Sequence, residues 1–381
     1  MNKLTVVQVL PELNGGGVER GTLEIAEALV AAGHQSIVIS AGGRLVAELE
    51  QKGSQHINLA IHKKSLWSLR QVWALRRLFL ELKPDIIHLR SRLPGWLCYL
   101  AWKTLPIKHR PHFITTVHGL HSVNAYSKIV VKGEAVIAVS DTVMDYIKTN
   151  YPDCFGPHCQ RIYRGIDPVV FPRDFRPSAT WLTTWQAQYP QLSGHKVLCL
   201  PGRITRLKGH LEFIELIHEL HQKGQVVFGL IVGGDDPRRQ GYLQEVKQRI
   251  AELGLSKYII FAGHRADIKE IYAISDLVFS LSTKPESFGR TVLEPLAMGR
   301  PVVAYDHGGV GEIMAALYPA GRVPLKDQAA LLETTEKLLQ APSTPSEKNP
   351  FLLATMINKT LALYQNISAE KSVQPTNLPH A

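Results

Sequence analysis

Short apolar runs, each followed by a loop and then by apolar positions at helical spacing, recur along the chain. The first is Leu4 to Leu10, closed by Pro11, Gly15, Gly16 and Gly17 and followed by a helix-like stretch from Val18 to Ala32. Gly33 stops that helix, and Ser36 to Ser40 (SIVIS) reads as the next strand. Asp85 to Leu89, Phe113 to Val117 and Ala135 to Val139 repeat the pattern. Short strands with little polar alternation between helices are those of a parallel sheet covered on both faces.

A proline-bearing stretch from Pro168 to Gly194 interrupts the rhythm and reads as a linker. The rhythm restarts with Lys196 to Leu200 (KVLCL), Val226 to Val232, Tyr258 to Phe261, Leu277 to Leu281 and Pro301 to Tyr305. Two doubly wound α/β domains follow as the economical reading, 1–175 and 176–350, both Rossmann-like. Apolar residues at helical spacing over 351–367 predict a helix returning to the N-terminal domain, with a loose polar tail over 368–381.

Length agrees, because 381 residues exceed what one core usually supports. A hydrophobic fraction of 45% against 20% charged is that of a folded globular chain. No apolar run reaches membrane-spanning length and the N-terminus lacks a signal-peptide pattern, so a cytoplasmic location is expected. Cys98, Cys154, Cys159 and Cys199 are too scattered for a disulfide framework. His158 between Cys154 and Cys159 raises a zinc site, but no second ligand pair stands nearby, so no metal is expected.

Charge narrows the partners. A formal net charge of +10 calls for an anionic one. Zinc-finger spacing, an aromatic RNA-binding signature and long Lys/Arg blocks are all missing from the sequence, which disfavours nucleic acid. A phosphorylated ligand or an anionic membrane surface remains.

In doubly wound sheets ligands bind beyond the carboxyl ends of the strands. After Leu200 comes Pro201-Gly202-Arg203-Ile204-Thr205-Arg206-Leu207-Lys208-Gly209, which places two cations, Arg203 and Lys208, just ahead of a helix. After Leu281, Glu286-Ser287-Phe288-Gly289 leads into another helix carrying Glu294, then Pro295-Leu296-Ala297-Met298-Gly299-Arg300-Pro301-Val302. Glu286 at the helix start suits sugar hydroxyls, and Glu294, expected about two turns in, suits a ribose. Amides near Ser287, Phe288 and Gly289 would face a diphosphate. Fixed cations and aimed amides are what stabilises a departing nucleoside diphosphate while positive charge builds on a sugar.

These elements together resemble the retaining glycosyltransferase 4 family, of GT-B fold, over the chain to about residue 365. The resemblance implies two Rossmann-like domains facing across a cleft, with donor binding mainly by the C-terminal one. Glu286 and Glu294 match the family's E-x7-E element, Arg203 and Lys208 its diphosphate-binding pair, and Gly15, Gly16 and Gly17 its N-terminal glycine loop. It further implies retention of anomeric configuration, no required metal or other cofactor, and a nucleotide-sugar co-substrate, UDP-sugar before GDP-sugar. His118, in Val117-His118-Gly119, falls where similar enzymes place a histidine beside the donor sugar, His121 being the weaker candidate. Arg265 matches the loop whose backbone touches the nucleobase, and Glu312, in Gly308-Gly309-Val310-Gly311-Glu312, an element near the sugar pocket. Two departures stand out: Arg164-Gly165-Ile166-Asp167 has arginine where asparagine is usual, and Gly233-Gly234-Asp235-Asp236-Pro237 alters a Gly-Asp-Gly-Pro turn.

From Ile61 to Pro84, Lys63, Lys64, Arg70, Arg76, Arg77 and Lys83 intersperse with Leu66, Trp67, Leu69, Trp73, Leu75, Leu78 and Phe79. Such a basic amphipathic helix lies on an anionic inner-membrane surface or packs on the sheet; the pattern serves both. His88, Arg90 and Arg92, at the end of a first-domain strand, are candidates to meet an anionic acceptor, such as a phosphorylated lipopolysaccharide-core sugar, another glycan or a lipid-linked sugar; the pattern fits surface charges equally. Two other readings keep the same architecture: a nucleotide-sugar epimerase and a non-enzymatic nucleotide-sugar-binding protein. A dinucleotide oxidoreductase is disfavoured, because Gly15 to Arg20 fails G-x-G-x-x-G and SIVIS ends without an acid for the ribose.

Overall fold

The computed structural model describes residues 3–63, 65–234 and 240–373. It forms two compact units: the first runs to Gly165 and resumes at Leu353, and the second is Ile166–Leu352. The chain therefore changes unit at Gly165/Ile166, earlier than the boundary at 175 read from the sequence.

The first unit is built on seven parallel strands, β1 (Thr5–Val9), β2 (Gln35–Ser40), β3 (Gln55–Asn58), β4 (Ile86–Leu89), β5 (His112–Val117), β6 (Ala135–Ala138) and β7 (Cys159–Arg161). Their order is β3-β2-β1-β4-β5-β6-β7, so the winding reverses between β1 and β4. Alternation inside the strands sends successive residues to opposite faces. Val7, Ile37, Ile87 and Phe113 face one way, onto Leu75 and Phe79 of the helix Arg70–Leu82 and Leu97 and Ala101 of Arg92–Lys103. Val6, Ile86, Ile114 and Ala135 face the other way, onto Ile25 and Leu29 of Gly17–Ala31 and onto Met356, Leu363, Tyr364 and Ile367. Those last four belong to the helix Leu353–Val373, which continues past residue 367, where the sequence suggested a loose tail.

The second unit has six parallel strands, β8 (Lys196–Pro201), β9 (Val227–Val232), β10 (Ile259–Gly263), β11 (Leu277–Ser280), β12 (Val302–Tyr305) and β13 (Arg322–Val323). Their order is β10-β9-β8-β11-β12-β13, with the reversal between β8 and β11. The stretch read as a linker belongs to this unit and holds a helix, Ala179–Gln188, capped by the Ser178 hydroxyl, which accepts from the Trp181 amide. Its apolar face is only Trp181, Leu182, Trp185 and Tyr189 at three- or four-residue spacing, set among threonines and glutamines. Trp181 and Trp185 stack at 5.0 Å, and Trp185 meets Tyr189 at 4.5 Å.

The basic segment is a short 3-10 turn, Leu66–Leu69, leading into Arg70–Leu82. Leu75 and Phe79 are buried, whereas Trp67 and Trp73 are 68% and 71% exposed. The segment thus packs on the sheet with one stripe and presents Trp73 and Arg77 on another. No helix among the described residues is long and apolar enough to cross a membrane. Lys64, the altered turn at Asp235–Pro237 and the tail from residue 374 lie outside the described residues.

Candidate functional site

Each sheet has one switch point, and in each unit the polar loops gather beside it, where neighbouring strands feed loops that diverge and leave a crevice.

In the second unit the switch point separates the loop after β8 from the loop after β11. Backbone geometry sets the first loop. Gly209 has φ +74°, and a Cβ there would stand 2.2 Å from the Leu281 carbonyl oxygen, so only glycine lets the β8 loop close onto the β11 loop. The amide of Thr283 donates to the Leu207 carbonyl across that closure. Lys208, one residue before Gly209, is thereby carried to the β11 side. Its Nζ lies 2.6 Å from Glu286 Oε1, each side chain being 24% exposed. Ser282 Oγ donates to the same carboxylate oxygen. Behind the acid, a Cβ on Gly309 would meet Phe288 Cα at 2.6 Å, and the Gly309 amide donates to the Glu286 carbonyl at 2.8 Å. His307 donates from Nε2 to the Ser282 carbonyl at 2.7 Å.

Burial by itself raises the Glu286 carboxyl, but Lys208, the Ser282 hydroxyl and nearby His307 hold it below its ordinary range. Glu286 is an ionised acceptor around neutrality. Arg203 is exposed and, among the described residues, has no ion-pair partner. The loop therefore carries two compensated cations, Arg206 against Glu245 and Lys208 against Glu286, and one, Arg203, without an ion-pair partner among the described residues.

The helix after Gly289 is Arg290–Ala297, so Glu294 sits just beyond its first turn, not two turns in. Its carboxylate accepts from the buried Tyr272 hydroxyl at 3.3 Å and lies 3.3 Å from Arg290 Nε. Ser287 is half-buried, whereas the Phe288 side chain is buried against Phe351, so any ligand contact from that position is through backbone. Glu312 is half-buried within the helix Gly308–Leu317.

Arg265 follows β10 and is clamped. Its guanidinium donates to both oxygens of Asp267 at 2.8 and 2.5 Å and lies 5.4 Å over the Trp185 ring. Trp181 Nε1 donates to the same carboxylate at 2.8 Å. The Arg265 side chain is thus a brace for its loop. Asp267, Trp181 and Trp185 were not legible as a group because two of them sit in the supposed linker.

In the first unit Gly15 and Gly16 have positive φ and lead into the helix that opens at Gly17. Arg164, three residues after β7, donates to the Gly17 carbonyl and is buried, so the arginine that replaces the usual asparagine anchors the glycine loop. His118 directly follows β5, with both ring nitrogens inaccessible to solvent. Burial, then the positive charges of Arg164 and Arg90, hold its imidazole well below the usual value, so it is neutral at pH 7. His121 is half-buried, and its carbonyl accepts from Tyr146 at 2.7 Å.

His88, Arg90 and Arg92, grouped from the sequence as acceptor contacts, are separated by the structure. His88 and Arg90 are buried in a polar chain under the sheet's carboxyl end. Thr116 Oγ1 lies 2.6 Å from His88 Nε2, and the Tyr364 hydroxyl lies 2.5 Å from Nδ1. Tyr364 also hydrogen-bonds Arg90, whose Nε donates to Gln8 at 2.9 Å; Gln8 in turn donates to the Thr22 carbonyl at 3.1 Å. Interior strand residues have no solvent, so their polar groups satisfy one another. Arg92 alone stays half-buried, donating to Ser127 at 3.2 Å with its guanidinium 5.3 Å over Tyr126.

The four cysteines are free thiols, and Cys159 Sγ contacts Met144 Sδ at 3.6 Å. Among the described residues no group of three or more His, Cys, Asp or Glu gathers as metal ligands.

Two doubly wound parallel sheets, with charged loops at the switch point of the second, define the GT-B class of glycosyltransferase. A glycosyltransferase from Rickettsia africae superposes with a TM-score of 0.83 at 32% identity, over 96% of this chain and 99% of that one. HepE of Anabaena, in complex with UDP-glucose, superposes at 0.75 and 21% identity, over 97% and 100%. The family model described as Glycosyltransferase Family 4 matches residues 15–170, and that described as Glycosyl transferases group 1 matches 183–349. The chain belongs to glycosyltransferase family 4. In sequence it is 32% identical over 245 residues to the lipopolysaccharide core biosynthesis mannosyltransferase LpsB of Rhizobium meliloti, covering 60% of this chain and 65% of that protein. Two other curated relatives are matched over 58% and 26% of their own lengths.

Proposed function

We propose that this glycosyltransferase transfers a sugar from a nucleotide-sugar, UDP-sugar before GDP-sugar, with retention and without a metal, to a lipopolysaccharide-core, polysaccharide or lipid-linked acceptor. The observation that carries the reading is the meeting of Lys208 and Glu286 across the β8/β11 switch point, with exposed Arg203 on the same loop. In the reaction the bond from the anomeric carbon to the diphosphate oxygen breaks, and its electron pair leaves with the diphosphate. The acceptor hydroxyl oxygen bonds to the same carbon and gives up its proton. Arg203 and Lys208 take up the charge accumulating on the diphosphate, which does without a divalent cation the work one often does. Glu286 orients sugar hydroxyls, Glu294 holds the ribose, and backbone amides at Ser287 and Gly289 meet the phosphates; the neutral imidazole of His118 is a candidate for a sugar hydroxyl in its own right. The braced Arg265 loop presents backbone to the base, and the glycine loop at Gly16 and Gly17 borders the acceptor side.

The UDP preference draws on the HepE complex, and the acceptor class on the name of the Rhizobium relative. The turn and helix over 66–82 support a peripheral location at the inner face of the cytoplasmic membrane. Trp67 and Trp73 project there beside Arg70 and Arg77, and no acidic residue occurs between Lys52 and Leu80.

Nucleotide release from UDP- and GDP-sugars, measured with and without truncated lipopolysaccharide-core acceptors, tests the reading. Acceptor-dependent release with an α-linked product from an α-linked donor is expected. Sugar epimerisation without acceptor would replace transfer by the epimerase reading, and donor binding with no turnover on any acceptor by the binding-protein reading.

A further inference from the structure

The Lys208–Glu286 contact does more than bring two ligand-binding groups together. Building on the nucleotide-sugar reading, we infer that Glu286 discriminates between the sugar-bearing donor and the bare nucleoside diphosphate, loosening the enzyme's grip on the product once the sugar has left.

The two oxygens of Glu286 are not equivalent. Oε1 takes the Lys208 ammonium at 2.6 Å and the Ser282 hydroxyl, whereas Oε2 has no hydrogen bond among the described residues. The side chain is still partly exposed, so Oε2 is the oxygen open to a sugar hydroxyl. A phosphate drawn to Lys208 arrives within a few ångströms of a carboxylate already in contact with the same ammonium. Like charges at that spacing repel appreciably in a half-buried site, where water screens them incompletely. The carboxylate thus lowers the affinity of any diphosphate at Lys208.

A sugar on the diphosphate changes the sign of the carboxylate's contribution. Its hydroxyls donate to Oε2, and hydrogen bonds to an ionised acceptor are among the stronger ones. Repulsion is offset for the donor and left uncompensated for the product. Arg203, which has no such carboxylate, holds both species alike, so the discrimination resides at Lys208 and Glu286.

Calorimetric titration of the full chain with UDP and UDP-glucose, and with GDP and GDP-mannose, tests this in wild type and Glu286→Gln. Glutamine keeps the shape and one acceptor oxygen but removes the charge. Bare UDP is expected to bind Glu286→Gln roughly three- to tenfold tighter than wild type, while UDP-glucose binds no tighter. Glu286→Ala should tighten UDP in the same direction, which guards against a local defect peculiar to glutamine, and thermal unfolding checks that both variants fold. Lys208→Met should weaken UDP in both backgrounds and abolish the tightening. Equal or weaker binding of UDP by folded Glu286→Gln overturns the inference while leaving the nucleotide-sugar reading intact. Failure of wild type to bind any of the four overturns that reading and the inference with it.

Discussion

The two switch points solve the same topological problem with opposite chemistry. At the β1/β4 reversal the charged and titratable groups are buried and tied to one another, with His88, Tyr364, Arg90 and Gln8 forming a chain that excludes water. At the β8/β11 reversal the groups are half-exposed, the ion pair is open on one side and Arg203 points outward. The first arrangement fixes a neutral histidine and a glycine loop rigidly. The second keeps charge available to an anion.

The sharpest way to break this contrast is to remove the cation that meets Glu286. Lys208→Ala is expected to lower turnover by about two to three orders of magnitude with little loss of stability. Steady-state kinetics beside thermal unfolding check it, and full activity in a folded protein would remove the second switch point from the chemistry.

Acid should reveal the buried histidines of both units next. His210, buried at the start of the helix His210–Gln222, has its pKa lowered to about 4, chiefly by burial, with the nearby Lys208 charge acting in the same direction. His88 and His118 are depressed in the same direction. Below the ordinary histidine value near 6.5 the unfolded chain binds more protons than the folded one, so stability falls as pH falls. The loss begins near pH 6.5 and for His210 alone reaches about 3 kcal/mol by pH 4. Denaturant titrations across that range measure it; a flat profile from pH 7 to 4 would contradict the buried, neutral assignment.

A milder cut goes through the polar chain itself. Tyr364→Phe removes the hydroxyl shared by His88 and Arg90 and is expected to cost about 1–3 kcal/mol. UDP affinity should stay unchanged, since Arg203, Lys208 and Glu286 lie in the other unit. The smallest effect on the fold belongs to Trp67→Ala with Trp73→Ala: stability should move by no more than about 0.5 kcal/mol, while sedimentation with vesicles of anionic lipid falls severalfold. Equal binding by wild type and variant would leave the exposed tryptophans without that role.

Much of this was legible in the chain because buried parallel strands leave continuous apolar runs, as at Thr5–Val9 and Lys196–Pro201. The strands that escaped were the polar or very short ones, Gln55–Asn58 (QHIN), Cys159–Arg161 (CQR) and Arg322–Val323, held by their neighbours rather than by their own hydrophobicity. Arg203, Lys208 and Glu286 were visible because they directly follow strong strands. Partners supplied from elsewhere were not: Tyr364 reaches His88 from 276 residues away, and Trp181 reaches Asp267 from 86. Sequence spacing also cannot tell a buried arginine from an accessible one, which is why Arg90 read as an acceptor contact.

Hydrogen exchange of the full chain, with and without saturating UDP-sugar, tests the central claim most directly. The account predicts new protection concentrated at 202–209 and 282–290, the two loops flanking the β8/β11 reversal. Protection that spares both loops and gathers on other surfaces would contradict it.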